Sequence, residues 1–331
     1  MPHDDTGGLD NKENKIPLLA LVGPTAVGKT ALAVRVAQKL KTDIINADSA
    51  QVYRFLEIGT AKPSEEEKKA VCHHLIDLVK PHQKFSVADY QKKANKIIEE
   101  LWINNKLPFL AGGTGLYVDA VIKGYAFGQK GGSSSLRRYY EQIAAAEGLE
   151  KLYIKLKRAD PEAASNIHPN DQRRIIRALE VYDLEGKPIS EQVKKTAGQS
   201  SPYETMIFGL YMERDQLYER IERRVDQMLE AGWLEEIRQL HEQGYRDTDP
   251  GMQILGYRQL YAYLQGSAVW EETVEEIKKQ TRNLAKRQLT WFRRNRAIKW
   301  KKITDQSSFE KLSENICFIV KDLDRRRANS Y

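Results

Sequence analysis

One stretch decides the fold of the N-terminal half of this chain: Gly23-Pro24-Thr25-Ala26-Val27-Gly28-Lys29-Thr30. It follows the apolar run 16–22 and leads into the largely apolar segment 31–37, which predicts a buried strand, a glycine turn and a helix in that order. This order is typical of a phosphate-binding loop. Gly28 allows successive backbone N–H groups to point into one concavity, and the start of the helix adds partial positive charge.

The residue types in this loop predict what it binds. Lys29 can neutralise a terminal phosphate, and the Thr30 hydroxyl can bind Mg²⁺, the cofactor that we expect. The loop therefore predicts a diphosphate or triphosphate ligand, but it does not determine the reaction. The predicted phosphate contacts are Gly23, Thr25, Ala26, Val27, Gly28, Lys29 and Thr30.

Two further strand ends are predicted beside the loop. The stretch 42–49 predicts a short strand that ends at Asp48, and 107–111 predicts a strand that runs into a glycine turn with Thr114. Ligands of open α/β sheets bind beyond the carboxyl ends of the strands. Asp48 can hold a metal-bound water, act as a general base or cap a helix, and its position favours the first two. For the glycine turn a purely structural role stays open.

The remaining pattern predicts an α/β fold, in which a P-loop NTPase-like parallel sheet is flanked by helices. Composition shifts at Gly124, helical segments follow, and the apolar stretch 205–211 predicts a strand that returns to the sheet. The predicted regions are a disordered tail 1–15, the first part of the core 16–124, a mostly helical insertion 125–202, a returning strand with basic helices 203–310, and a C-terminal helix and tail 311–331.

Shorter patterns predict local structure. Ser64 and Ser86 each precede a helical segment that has an acidic residue three positions on, which predicts capped helices. His73 and His74 are adjacent on a predicted strand, so their side chains point to opposite faces and structural roles are expected. No apolar run is long enough to cross a membrane, and two distant cysteines suit a reducing cytoplasm.

The basic residues indicate anionic partners. The net charge is +7, and Arg220 and Arg224 are one helical turn apart directly after the returning strand. Such a pair is commonly solvated, but at this place it can clamp a phosphate. The segment 281–296 mixes cations with aromatic residues, which favours RNA binding over a core helix with solvated charges.

Six blocks of the sequence follow one another at set spacings: 23–30, 48–53 with 58–63, 111–117, 167–171, 255–259 and 285–291. In this order and spacing they resemble the tRNA dimethylallyltransferases, and the match runs from about residue 17 to about residue 300. The resemblance is to bacterial members, because we expect no zinc-finger extension of the eukaryotic kind. It implies transfer of a dimethylallyl group from dimethylallyl diphosphate to N6 of adenosine 37 in tRNA.

The same resemblance implies roles for individual residues. Asp48 matches the general base, Lys29 and Thr30 act with Mg²⁺ on the diphosphate, and Arg224 matches an essential arginine, with Arg220 beside it. The expected partners are the anticodon stem-loop of tRNA and dimethylallyl diphosphate, bound by a cytoplasmic monomer without membrane contact. The helical insertion 125–202 is implied to take part in tRNA binding. The positions implied to touch tRNA are Asp48, Ser49, Ala50, Gln51, Thr114, Arg137, Gln172, Arg173, Arg174, Ile175, Ile176, Gln253, Gly256, Tyr257, Arg258, Lys286, Arg287 and Arg293.

Two other classes of protein fit parts of the pattern. An ATP-dependent phosphotransferase uses the same type of loop, although no NKxD-type guanine motif is present. A non-catalytic RNA-binding protein explains the basic helices but leaves Asp48 and Lys29 without a purpose. Protection from heat by ATP or by dimethylallyl diphosphate distinguishes the first alternative, and replacement of Asp48 or Lys29 distinguishes the second.

Overall fold

Six strands form one parallel sheet, which matches the predicted fold class. The computed structural model describes residues 15–127, 132–197, 200–304 and 307–328, so residues 1–14 of the predicted tail lie outside it. The strand order is β3-β2-β4-β1-β5-β6. The strands are β1 Ile16–Val22, β2 Ile44–Asn46, β3 His73–His74, β4 Phe109–Gly112, β5 Tyr203–Tyr211 and β6 Lys299–Lys302.

Helices connect and cover the strands, and they make up most of the chain between β4 and β5 and after β5. They are α1 Lys29–Leu40, α2 Glu65–Ala70, α3 Val87–Ile103, α4 Gly115–Lys123, α5 Ser134–Glu147, α6 Leu149–Ala159, α7 Pro161–Asn166, α8 Gln172–Glu185, α9 Ile189–Ala197, α10 Arg214–Glu230, α11 Trp233–Glu242, α12 Tyr257–Leu264, α13 Trp270–Phe292 and α14 Ser307–Ala328. None of these described helices has both the length and the apolar character needed to cross a membrane.

The central strand β1 is buried on both faces. Leu18 and Val22 pack into one hydrophobic cluster, whereas Leu19 and Leu21 pack into another on the opposite face. This double burial is expected of a parallel strand covered by helices on both sides. In the register of the sheet, Val22 pairs with Gly112. The carboxyl ends of β1 and β4 therefore meet at one edge, where the loops that follow them are neighbours.

The predicted helix starts at Ser64 and Ser86 are confirmed. The Ser64 side chain accepts a hydrogen bond from the N–H of Glu67, and the Glu67 carboxylate accepts one from the N–H of Ser64. Ser86 and Asp89 form the same reciprocal pair at the start of α3. Both pairs satisfy N–H groups that the first helical turn leaves without a partner.

An ion-paired cluster attaches the edge strand β3 to its neighbour. Asp43 Oδ2 lies 3.0 Å from His74 Nε2, and Lys106 Nζ donates to Asp43 Oδ1 at 2.8 Å. Burial alone would raise the pKa of Asp43, but the bonds from Lys106 and His74 lower it below its ordinary value. His73 Nδ1 lies 2.9 Å from the Val71 carbonyl oxygen. These contacts fit the structural roles predicted for both histidines.

The described residues divide into two compact units. One contains the chain up to Ile122 and from Tyr203 onward, and the other is Lys123–Pro202. The second unit has its own core, in which Tyr140, Leu156 and Ile175 are fully buried. Two features differ from the sequence prediction. Strand β6 was not predicted, because its residues Lys-Trp-Lys-Lys lack an apolar face, and α14 begins at Ser307 rather than near 311.

Candidate active site

The phosphate-binding loop is shaped by backbone conformation and by the helix above it. Gly28 has φ +96° and lies at the N-cap of α1, so the loop turns there into the helix. A Cβ on Gly28 would lie 2.4 Å from the Phe309 ring of α14. Residues with a Cβ rarely adopt this φ, and here they would also collide with Phe309. Both the backbone conformation and the contact with Phe309 therefore require glycine at this position.

Lys29 folds back onto its own loop. Its ammonium donates to the Pro24 carbonyl oxygen at 2.6 Å. Burial lowers the pKa of Lys29 to about 8, an effect that Asp48 opposes and Arg224 reinforces. Lys29, Asp48 and Arg224 therefore act on one another electrostatically, as the topology of the strand ends predicted.

Two arginines of α10 add positive charge to this site. Ile221 and Val225 pack in the core, and Arg220 and Arg224 each precede one of them. Burial lowers the pKa of Arg224, with Asp48 opposing and Arg220 reinforcing the change. Within the described part of the chain, neither arginine forms an ion pair with a carboxylate. Desolvated cations that lack a carboxylate partner are the arrangement that an anionic ligand stabilises.

Asp48 presents one committed and one available oxygen. Its Oδ1 accepts a hydrogen bond from the Ala50 N–H at 2.9 Å, and no described residue donates to Oδ2. The residues that follow Asp48 form turns, and the next helix is α2, so Asp48 does not cap a helix. The helix-cap alternative is therefore wrong, whereas the other two roles remain.

The glycine turn after β4 is fastened to the loop that carries Asp48. The Thr114 hydroxyl accepts from the Ser49 N–H at 2.9 Å and donates to Ser49 Oγ at 3.2 Å. The Thr114 N–H donates to the Ala47 carbonyl oxygen at 3.0 Å. Asp48 is thus held between two residues that both bond to Thr114. The turn has a structural task here in addition to any contact with a ligand.

Two residues that the resemblance associated with tRNA have buried side chains that form hydrogen bonds within the protein. Gln51 is buried and its amide donates to the carbonyl oxygens of Thr60 and Ala61. Tyr257 is 0% exposed, its hydroxyl donates to Glu236 at 2.5 Å, and Gly59 N–H donates to that hydroxyl at 3.1 Å. Their side chains hold loops in place and offer no surface to RNA.

The neighbouring positions of α12 and its approach differ in exposure. Gly256 is buried beneath the Trp233 ring, where a Cβ would lie 2.0 Å from that ring. Gln253 and Arg258 are exposed. Of this predicted segment, only these two side chains are therefore available to a large ligand.

The helical unit carries its predicted residues on two sides of α8. Gln172, Arg173 and Arg174 are exposed, whereas Ile175 and Ile176 are buried in the core of the unit. The predicted tRNA contact consequently does not extend to the two isoleucine side chains, because helical periodicity turns them inward.

Arg137 of the helical unit forms an ion pair with a buried glutamate. Its Nε donates to Glu180 Oε1 at 2.9 Å, and Arg177 donates to Glu180 Oε2 at 2.6 Å. Glu180 is 0% exposed. Burial alone would raise the pKa of Glu180, but the bonds from Arg177 and Arg137 lower it below its ordinary value.

We expect Glu180→Gln to destabilise the helical unit by about 1.5–3 kcal/mol at neutral pH, because charge-assisted bonds to a buried carboxylate are lost. A lowered pKa stabilises the folded state above the ordinary pKa of 4.5, and this contribution is lost as the pH falls through the folded value. The difference from the wild type should therefore shrink in acid. Hydrogen exchange of amides 132–197 in the full chain measures it. Glu162→Gln, which removes an exposed ion pair with Lys194, should change little.

Helix α13 combines a buried and a charged face. Ala285 and Phe292 are buried, whereas Lys286 and Arg287 are exposed, as is Arg293 at the end of the helix. The apolar stripe that packs inward confirms a core role for this helix, whereas RNA binding by the outward-facing cations stays a prediction. Two residues absent from the predicted site also lie against the phosphate loop, Phe309 and Gln288. The block 285–291 was the only sequence pattern that included either.

The chain is similar to proteins of one family along most of its length. A family model described as IPP transferase matches residues 51–295, and one described as isopentenyl transferase matches residues 16–82. A protein of Natranaerobius thermophilus named tRNA dimethylallyltransferase is 49% identical over 92% of each chain. One of that name from Halalkalibacterium halodurans is 45% identical over 94% of this chain and 99% of its own.

Solved structures agree with these sequence similarities. The crystal structure of the tRNA isopentenylpyrophosphate transferase of Bacillus halodurans has a TM-score of 0.69 and 41% identity, covering 95% of this chain and 100% of that one. A structure of a eukaryotic dimethylallyltransferase acting on tRNA has a TM-score of 0.81 and 28% identity, covering 94% of this chain and 80% of that one.

Proposed function

This chain belongs to the IPP transferase family, whose curated relatives are tRNA dimethylallyltransferases, and we propose that it transfers a dimethylallyl group from dimethylallyl diphosphate to N6 of adenosine 37 in tRNA. The observation that carries the residue roles is the juxtaposition of charges at the sheet edge. An available carboxylate oxygen of Asp48 lies in the electrostatic range of Lys29 and Arg224, which have no carboxylate partner among the described residues.

The cations bind the diphosphate in this proposal. The N–H groups at the start of α1, the Lys29 ammonium, and the guanidinium groups of Arg220 and Arg224 surround its negative charge. The charge on the leaving diphosphate grows as its bond to carbon breaks, so these groups stabilise the transition state more than the bound substrate.

The donor set also suits Mg²⁺. The Thr30 hydroxyl is a hard oxygen ligand of the kind that Mg²⁺ accepts, and the unbonded Asp48 oxygen could hold a water bound to the ion. When bound, the ion would supply further positive charge to the diphosphate, with the Thr30 hydroxyl as its protein ligand. The chain itself must still provide the base.

Asp48 is the proposed base. The N6 lone pair of adenine is delocalised into the ring, so N6 attacks carbon poorly unless its proton is removed as the bond forms. In the proposed step the N6–C1 bond forms, the C1–O bond to diphosphate breaks, the N6 proton passes to Asp48, and diphosphate leaves with the bonding electron pair. Since position 37 is stacked in a loop, the base must leave its stack to reach Asp48.

Nucleoside analysis tests this function directly. Unmodified tRNA incubated with the protein and dimethylallyl diphosphate should yield dimethylallyladenosine on mass spectrometry, with fragments that place it at position 37. ATP should be neither required nor hydrolysed. Strict dependence on ATP would support the phosphotransferase, whereas tRNA binding without any product would support the non-catalytic RNA-binding protein.

In each of the two units taken separately, the proposed tRNA contacts are the exposed members of the predicted set, and we propose that the chain acts as a monomer. They are Ser49, Gln172, Arg173, Arg174, Gln253, Arg258, Lys286, Arg287 and Arg293. Contacts of such side chains with phosphates contribute affinity and fix orientation but carry little sequence information.

Neutralising Lys286 and Arg287 together, as Lys286→Gln with Arg287→Gln, is expected to weaken tRNA binding. The salt dependence should flatten by about one to two units of slope, because fewer counterions are released. Both side chains face away from the buried residues Ala285 and Phe292, so the fold should persist. Titrations at several salt concentrations measure the slope, and the affinity for dimethylallyl diphosphate serves as the control. An unchanged slope with reduced thermal stability would assign the helix to the core only.

A further inference from the structure

Gln288 of α13 joins the two loops that border the candidate active site. Its Oε1 accepts a hydrogen bond from the Thr25 N–H of the phosphate loop at 2.8 Å. Its Nε2 donates to the Gly113 carbonyl oxygen of the glycine turn at 3.0 Å. One side chain therefore spans from the end of β1 to the end of β4.

The chemistry of the two partners requires a side chain with one donor and one acceptor at this position. Thr25 N–H can only donate and the Gly113 carbonyl can only accept, so just one orientation of the Gln288 amide satisfies both. Glutamate would place a carboxylate oxygen against the Gly113 carbonyl oxygen. A Cβ on Gly113 would lie 2.5 Å from Gln288 Nε2, so the glycine leaves the space that the amide occupies.

The helix holds Gln288 in a fixed place. Ala285 and Phe292, three positions before it and four after it, are buried on the same helical face. Trp291 Nε1 donates to Asp119 Oδ2 of α4 at 3.1 Å, and α4 begins directly after the glycine turn. Helix α13, which carries Gln288, and helix α4, which follows the glycine turn, are therefore packed against each other.

The bridge continues to Asp48. Gly113 is followed by Thr114, whose hydroxyl and N–H bond to Ser49 and Ala47, the two neighbours of Asp48. A continuous series of bonds thus runs from Thr25 through Gln288 and Thr114 to the loop of Asp48. It also commits the Thr25 N–H to Gln288, so the phosphate contact predicted for Thr25 is not made through this N–H.

We infer that Gln288 is a positioning residue that sets the separation between the diphosphate-binding loop and the base Asp48. The inference rests on the proposed reaction, in which N6 must attack C1 while Asp48 takes the proton and the loop holds the leaving group. A rigid bridge maintains that geometry, and misplacement of reacting groups by about 1 Å can lower a rate by about 100-fold.

Gln288→Met removes both hydrogen bonds at nearly constant volume. We expect kcat to fall about 10- to 100-fold and the affinity for inorganic diphosphate to weaken, while the tRNA dissociation constant and its salt slope stay unchanged. Gln280→Met is the matched control, because Gln280 lies on the same helix and, among the described residues, its side chain bonds only to Glu276 one turn away. Its kcat should equal that of the wild type.

Gln288→Glu keeps the test sharp if the methionine variant folds poorly. At high pH the ionised carboxylate cannot donate to the Gly113 carbonyl oxygen, so the activity of this variant should be as low as that of Gln288→Met. A protonated carboxyl has one donor and one acceptor and can restore both bonds. The activity of this variant relative to the wild type should therefore be lowest at high pH, where the carboxyl is ionised, and rise as the carboxyl becomes protonated. Wild-type kcat of Gln288→Glu at high pH, where its side chain is an ionised carboxylate that cannot donate to the Gly113 carbonyl oxygen, would overturn the inference.

Other results separate this inference from the proposed function. A lower melting temperature of Gln288→Met with wild-type kcat per folded molecule would assign Gln288 to stability alone and overturn the inference. Failure of the wild type to modify tRNA would overturn the proposed function instead. The titration with inorganic diphosphate needs no transfer reaction, so it still tests the bridge in that case.

Discussion

Asp48→Asn should lower the turnover of dimethylallyl transfer by about 10²- to 10⁴-fold, the range typical of a lost general base. Asparagine keeps the shape of the side chain and can still accept the Ala50 N–H bond, so the loop should hold its conformation. Binding of tRNA and of dimethylallyl diphosphate should therefore persist. Single-turnover assays with separate binding titrations distinguish the chemical step from affinity.

A matched control lies at the other end of the same strand. Asp43 precedes β2 as Asp48 follows it, and its carboxylate pairs with Lys106 and His74. Asp43→Asn makes the identical chemical change and should reduce stability but not turnover. Near-normal turnover of Asp48→Asn would show that Asp48 is not the general base and has a structural role instead.

Lys29→Ala should weaken diphosphate binding and slow the chemical step, together lowering kcat/KM by about 10²- to 10³-fold. The effect on kcat is expected because the ammonium opposes charge that grows on the leaving group. Removal of the side chain should also free the Pro24 carbonyl oxygen, to which Lys29 donates at 2.6 Å. Titrations with inorganic diphosphate and steady-state kinetics measure the two contributions.

The pH dependence of the affinity for diphosphate tests whether the charged form of Lys29 is the one that binds. The pKa of Lys29 is about 8, and only the protonated form attracts an anion, so the affinity of the wild type for diphosphate should fall as the pH rises above 8. The alanine variant should lack this fall. Lys39→Ala on the same helix removes a partly exposed pair with Glu310 and should leave diphosphate affinity unchanged. If Lys29→Ala kept wild-type kcat, the charge of Lys29 would serve binding only.

Local patterns predicted the local structure well. The glycine loop, the strand before it and the helix after it involve residues close in the chain, and their geometry depends mainly on backbone conformation and periodicity. The caps at Ser64 and Ser86 are equally local. The placement of Asp48 beside the loop follows from the topology of a parallel sheet, in which carboxyl ends share one edge.

Contacts between distant residues were not predicted. Strand β6 has no apolar alternation and exists because it pairs with β5. Gln288 and Phe309 meet the phosphate loop more than 250 positions away in the chain, as the separation of 263 between Thr25 and Gln288 shows. No periodicity or composition within a short window encodes such a contact.

The sequence by itself determined the family, the phosphate-binding loop and the identity of the charged groups at the sheet edge. Only the tertiary structure decided which candidates have accessible side chains: Tyr257, Ile175 and Ile176 are buried, whereas Lys286 and Arg287 are exposed. It also brought burial and neighbouring charge to bear on Lys29, whose pKa falls to about 8. The reason is physical, since burial and electrostatic interaction depend on distances in space that a chain acquires only when it folds.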